Sequence, residues 1–204
     1  MLWSDTPAVP ATPSARDQTR DLILQAAAAL FLAQGFEGTS MEQVRQRAGV
    51  SNGSLYHHHP TKNHLARALY EAALADFHGA VLKAIAGDAA AEAGVRGLVA
   101  AYIAWVLKHP DRARVLHELR RTTAVAGAEP DWGALNAQAH GALRDWAGRC
   151  AARGQMKSMP FGVWIALVFA PLLQLTPHWL RQDKPAVPPK LRALLADAAW
   201  ASVR

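Results

Sequence analysis

The residues of this sequence best suited to chemistry crowd into one stretch, SNGSLYHHHPTK, from Ser51 to Lys62. Three consecutive histidines are metal-ligand types, and the Ser-x-Gly-Ser run has hydroxyls and a slim backbone of the kind that holds a nucleophile or cradles phosphate. Spacing removes the metal reading. Successive helical residues diverge by about 100°, so His57, His58 and His59 cannot close on one ion, and four residues beyond His57 and His58 stand Thr61 and Lys62. The nucleophile reading fails for want of partners. Ser51 and Ser54 have no acidic neighbour, no Gly-x-Ser-x-Gly or phosphate loop occurs, and Glu118 and Glu129 stand isolated in a basic stretch. Neither an enzyme nor a metal or cofactor site is expected. Recognition remains: Ser51, Asn52 and Ser54 can hydrogen-bond base edges, Tyr56 can reach a phosphate or a thymine methyl, and Gly53 keeps the backbone thin.

Helices must position these residues, because no segment alternates in the manner of a strand and the apolar period is helical nearly throughout. A first helix is expected over about 14–34, with Leu22, Ala26 and Leu30 on one stripe and Ile23, Ala27 and Phe31 on the next, stopped at Gly35. Thr39-Ser40 starts a second, with Glu42 and Gln43 both placed to complete a capping box, Val44 and Ala48 facing inward, and Gly49 at its end. After Val50 re-enters the core, Ser51 caps a short third helix over 52–58, anchored by Leu55 and ended by Pro60. Thr61 caps a fourth. Its ladder of Leu65, Leu69, Ala73, Phe77, Val81 and Ile85 runs to Gly87, a connector roughly 35–40 Å long.

Further on, Val95, Leu98, Val99, Tyr102 and Val106 form a stripe stopped at Pro110, and Asp111 to Arg121 makes a shorter helix. Leu135, Ala139, Ala142, Trp146 and Cys150 line another, ended at Gly154; two more cover about Phe161–Leu180 and Pro188–Val203. The expected fold is all-α: a disordered tail over 1–15, a three-helix head over 16–62, and a helical body over 63–204 entered through the long connector helix.

Composition agrees. The chain has 204 residues, of which 51% are hydrophobic, enough for a core; the 19% that are charged fall short of the usual quarter, as expected where surface is buried between subunits. Cys150 is the single cysteine, which excludes an internal disulfide and fits a reducing cytoplasm. The longest apolar run, Phe161 to Leu173, is too short to span a bilayer, so no membrane partner is expected. Net charge is +6, yet in residues 1–62 five basic side chains (Arg16, Arg20, Arg45, Arg47, Lys62) meet five acidic ones (Asp5, Asp17, Asp21, Glu37, Glu42). Any DNA contact by the head must come from local placement of charge rather than bulk attraction.

Two short helices joined at a glycine, TSMEQVRQRAGVSNGSLYHHH, have the form of a helix-turn-helix whose second member offers a thin polar edge to a major groove. With Gly35-Phe36, Thr39-Ser40, Ala48-Gly49-Val50-Ser51, Gly53, Leu55-Tyr56-His57-His58 and Lys62 in this order, residues 16–65 resemble the DNA-binding head of the TetR family of bacterial transcriptional regulators. The match covers about a quarter of the chain. It implies a homodimer, a C-terminal domain for effector and dimerisation, and repression of a palindromic double-stranded operator relieved by a small ligand. It also implies that Tyr56, His57 and Lys62 grip phosphates, as do Thr39 and Ser40 at a helix N-terminus. One position departs from the family pattern: His59 stands where a core phenylalanine is usual.

In the body, Trp105, Trp132, Trp146 and Trp164 fall on different expected helices together with Tyr102, His109, His117 and His140. Their convergence would make a pocket of Tyr102, Trp105, His140, Trp146 and Trp164 for a hydrophobic, aromatic or amphipathic effector. Phe161–Leu173 has no polar face, and the last helix has a stripe of Leu191, Leu194, Leu195, Ala198 and Ala199; a four-helix dimer interface centred on Val168, Leu172, Leu191 and Leu195 is expected. Two rivals are a DNA-binding regulator without effector and a thiol-based redox regulator acting through Cys150.

Overall fold

The computed structural model describes the backbone of residues 15–125 and 132–204 and the side chains of 15–119 and 136–204. The expected tail, up to residue 14, and the side chains of Glu129, Trp132 and Leu135 lie outside the described residues. Among the described residues there is no strand. The helices are α1 (Ala15–Gln34), α2 (Met41–Ala48), α3 (Asn52–His58), α4 (Lys62–Val81), α5 (Ala91–Lys108), α6 (Pro110–Val125), α7 (Trp132–Ala152), α8 (Phe161–Leu180) and α9 (Pro189–Val203). They fall into two compact units, residues 1–65 and 66–204.

In the first unit, Ile23, Ala27 and Phe31 of α1 are buried with Val44 of α2, Leu55 of α3 and Leu65 at the start of α4. Of the two adjacent stripes expected on α1, the one bearing Ile23, Ala27 and Phe31 is buried, while Leu22 on the other is exposed; Leu24 is buried as well. Alanine-rich helices carry little periodic contrast, so the inward face can rotate by one residue without changing composition.

α4 is shorter than the ladder suggested. It ends at Val81, and Leu82–Ile85 tighten into a 3-10 turn before Gly87 reverses the chain at φ +66°. Its 20 residues span roughly 30 Å, not 35–40 Å. Pro110 behaves differently from expectation too: it opens α6, where its missing N–H costs nothing, and α6 runs on to Val125. On α7 it is Leu143, not Ala142, that faces inward.

α5 is the centre of the second unit. Val95, Leu98, Val99, Ile103 and Val106 are all but fully buried, and α9, α8 and α6 pack around them. Trp146 lies so close to α5 that a Cβ on Gly94 would overlap its indole, and its Nε1 donates to the Ala89 carbonyl at 2.9 Å. Trp164 packs edge-on against Trp146 and stacks on Phe161.

α8 is the one described helix long and apolar enough to cross a membrane, but Trp164, Val168, Phe169, Leu172, Trp179 and Leu180 build it into this core. This burial corrects the expected interface. Val168 and Leu172 are each 1% exposed within their own chain, and Leu191 and Leu195 pack partly buried against the same core. The exposed apolar side chains are their sequence neighbours: Val163 and Leu167 on α8 are 48% and 39% exposed, and Leu194 on α9 is 62% exposed.

Candidate DNA-binding face and ligand cavity

The head fixes α3 by local hydrogen bonds whose signals are visible in the sequence. Ser40 Oγ accepts from the Gln43 backbone N–H at 3.2 Å, while Gln43 Oε1 accepts from the Ser40 N–H at 2.8 Å, a complete capping box for α2. Glu42, the other candidate, is held by Arg45 at 2.6 and 2.9 Å and by Gln46; those hydrogen bonds bring its pKa down to about 2. Gly49 adopts φ +66° and returns its N–H to α2, and Arg45 also donates to the Val50 carbonyl at 3.3 Å. The turn into α3 is thereby pinned.

Ser51 then caps α3 through the Ser54 N–H at 3.1 Å. Leu55 faces the core, so Ser51, Asn52, Gly53, Tyr56 and His57 face outward, with Ser54 half-buried between them. A Cβ on Gly53 would touch nothing within 4 Å; the fold itself does not require glycine there, and the space is kept clear on the outside. His57 lies 3.5 Å from Arg16 Nη2, which brings a cation of α1 to this face; nothing local in the sequence signalled that neighbour.

Two residues expected to hold phosphate are instead part of the scaffold. Thr39 is 2% exposed; its hydroxyl donates to the Gly35 carbonyl at 2.9 Å and accepts from Gln34. Lys62 Nζ donates to the carbonyls of Phe36 at 3.0 Å, Thr39 at 3.1 Å and Glu37 at 3.4 Å, and sits 4.4 Å from the centre of the Phe36 ring. An ammonium has three protons, and all are spent. A Lys62→Met chain is therefore expected to lose about 2 kcal/mol of head stability, since hydrogen bonds from a charged donor are lost with it. Its DNA binding should fall for all sequences with the salt dependence unchanged. A salt slope reduced by about 1 would instead make Lys62 a phosphate ligand.

His59 takes the core position that the family pattern gives to phenylalanine. It is 2% exposed, its Nδ1 lies 3.3 Å from His64 Nδ1, and its Nε2 is buried without a partner among the described residues. Burial, aided by the nearby His64, His58 and Arg20, lowers its pKa to about 4.

The body carries a half-open cavity of about 500 Å³. Phe77 of α4 stands edge-on to Tyr102 at 5.4 Å and to Trp105 at 5.1 Å, while Phe169 of α8 and His140 of α7 close other sides. The Tyr102 and Thr176 hydroxyls are 2.8 Å apart, and Trp105 Nε1 donates to Asp76 at 2.8 Å, whose carboxylate also pairs with Arg112. Of the expected pocket residues, Tyr102, Trp105 and His140 line this cavity. Trp146 and Trp164 do not. They sit in the core behind it, where Trp164 Nε1 is buried without an acceptor among the described residues. His117, also noted in the sequence, lines it too, as do Leu74, His78 and Asn136, which the sequence did not single out.

A thin polar helix edge held outward by two capped helices defines a helix-turn-helix DNA-binding protein. Residues 23–69 match the model for bacterial regulatory proteins of the tetR family. The HTH-type transcriptional repressor KstR2 of Mycolicibacterium smegmatis is 38% identical over 68 residues, covering 33% of this chain and 31% of that protein. The HTH-type transcriptional repressor NicS of Pseudomonas putida is 32% identical over 100 residues, 49% of this chain and 47% of that one. The matched parts thus span less than half the length of these two relatives. In fold, a TetR family transcription regulator from Marinobacter aquaeolei superposes with a TM-score of 0.75 at 20% identity, over 92% of this chain and 96% of that chain. The fatty acid degradation regulator FadR from Bacillus halodurans does so with 0.72 at 15%, over 93% and 95%. The head of the chain is thus similar to that of TetR-family regulators, and the chain shares the fold of solved members.

Proposed function

We propose that the protein is a transcriptional repressor that binds a two-fold symmetric operator as a homodimer and leaves it when a hydrophobic small molecule fills the body cavity. The observation that carries the DNA half is the outward edge Ser51-Asn52-Gly53 with Tyr56 and His57, on a helix whose opposite side is fixed by Leu55. KstR2 and NicS, similar over 68 and 100 residues, are both repressors by name. The cavity supports the effector half, and α4, which contributes Phe77 and His78 to its wall, begins at Lys62 in the head. A thiol switch is disfavoured: Cys150 is fully buried, and burial pushes its pKa up, against the exposed thiolate such a sensor needs.

Asn52 is the side chain on this edge best matched to a base, with an amide able to donate and accept together. Asn52→Ala is expected to change preference among operator sequences by about 1–3 kcal/mol while leaving non-specific affinity intact. Gel-shift titrations on the operator, its single-base variants and unrelated DNA measure this. An equal loss on all of them would remove Asn52 from the base contacts. Displacement of the protein from its operator by a cavity ligand tests the other half; a ligand that saturates the cavity and leaves operator affinity unchanged would refute it.

A further inference from the structure

The cavity's lining points to the charge of its occupant. Among the described residues, no aspartate, glutamate, lysine or arginine lines it. The charged pair nearest by bonding, Asp76 and Arg112, is spent on itself and on the Trp105 indole behind the wall. The polar side chains that line it are hydroxyls, an amide and imidazoles: Tyr70, Tyr102, Thr176, Asn136, His78, His117 and His140, with the Trp105 indole. The Tyr102 and Thr176 hydroxyls are paired with each other, and Thr176 donates on to the Leu172 carbonyl at 2.8 Å. At another part of the wall, His78 on α4 hydrogen-bonds Asn136 and lies within electrostatic range of His140, both on α7. Burial is the leading cause that holds the pKa of His78 and of His140 below the ordinary histidine value, so both imidazoles are uncharged at neutral pH.

An ionised ligand would lose water in this space and find no aspartate, glutamate, lysine or arginine among the described lining residues to replace it. A neutral molecule suffers no such penalty. Its hydrocarbon part meets Leu74, Phe77 and Phe169, and its polar atom meets imidazole and amide groups that can both donate and accept.

We infer that the cavity selects uncharged apolar molecules carrying a hydroxyl, carbonyl or amide group, bound at the His78–Asn136–His140 corner, and rejects carboxylates and amines built on the same skeleton. The inference rests on the effector reading for its biological use, but concerns binding alone.

The test uses the full chain near neutral pH and three matched probes, pyrenemethanol, pyrenecarboxylate and pyrenemethylammonium, with energy transfer from tryptophan to pyrene as the readout. The alcohol is expected to bind at least about tenfold more tightly than either ion. A Leu116→Trp chain, whose new ring fills the cavity, should keep its melting temperature and lose the alcohol. Equal or tighter binding of either ion, no binding of the alcohol, or alcohol binding that survives Leu116→Trp would each overturn the inference. If the alcohol binds selectively but does not release the operator, charge selection stands and the effector reading fails.

Discussion

Leu167→Arg is expected to leave a folded monomer that no longer holds a full operator. Leu167 is 39% exposed, at helical spacing from the exposed Val163 and Ala170, and no polar residue interrupts α8 from Phe161 to Leu173. Four of the six large hydrophobic side chains exposed among the described residues lie on α8 and α9. In the proposed homodimer, two-fold symmetry would bring this face against its own copy. One substitution then places two unpaired guanidinium groups in the interface, each with a desolvation cost of several kcal/mol. Operator affinity should drop on the order of a thousandfold, because each head alone reads one half-site. Sedimentation and circular dichroism check the two parts: monomer mass with unchanged helicity. Val168→Arg is the contrasting variant. One residue along, it lies in the core, and should unfold the chain rather than dissociate it. Leu167→Arg chains that remain dimeric with full operator affinity would place the interface elsewhere.

His59→Phe is expected to raise the stability of the head and to remove the loss of stability that His59 causes between about pH 6.5 and 4. The buried Nε2 has no partner among the described residues, and an unsatisfied buried group costs about 1–3 kcal/mol. His64, left alone by the substitution, is exposed and can be solvated. The pH dependence follows from the lowered pKa. Above about 6.5 neither folded nor unfolded chain protonates His59, and stability is complete. As pH falls from there toward about 4, the unfolded chain takes a proton that the folded chain refuses, and stability is lost at a slope approaching about 1.4 kcal/mol for each pH unit. The full loss is roughly 3 kcal/mol. Urea melts of both proteins across this window isolate the residue by difference, since His58, His78 and His140 remain in both. Parallel stability curves would mean that His59 does not titrate as its burial requires.

Features that a few neighbouring residues decide were legible in the sequence. The caps at Ser40, Ser51 and Thr61, the glycine stops at Gly35 and Gly154, and the helix-turn-helix itself depend on hydrogen bonds across three or four positions. What failed is the choice of face on helices that are apolar or alanine-rich all round. There, one residue of rotation separates Leu22 from Ile23 and Leu167 from Val168, and nothing in the helix itself favours either side. Packing partners from elsewhere settle it. The tryptophans illustrate the same point: Trp105 reached the cavity while Trp146 met the bare backbone at Gly94, a long-range fit with no local signature. Lys62 matched the phosphate-gripping pattern in type and position, but its side chain reaches back more than twenty residues to other partners.

That reach has a consequence for how the protein can change. The Lys62 ammonium joins positions 26 and 23 residues upstream, so it closes a noncovalent ring that contains all of α2 and α3. The clasp is formed by one side chain and main-chain carbonyls, and none of the outward residues of α3 takes part in it. Letters on the outside of the ring can therefore be exchanged while its closure stays the same. A new operator preference could be grafted through positions 52–57 with Ser51 and Leu55 kept, and the head would accept it as a ring accepts a new stone.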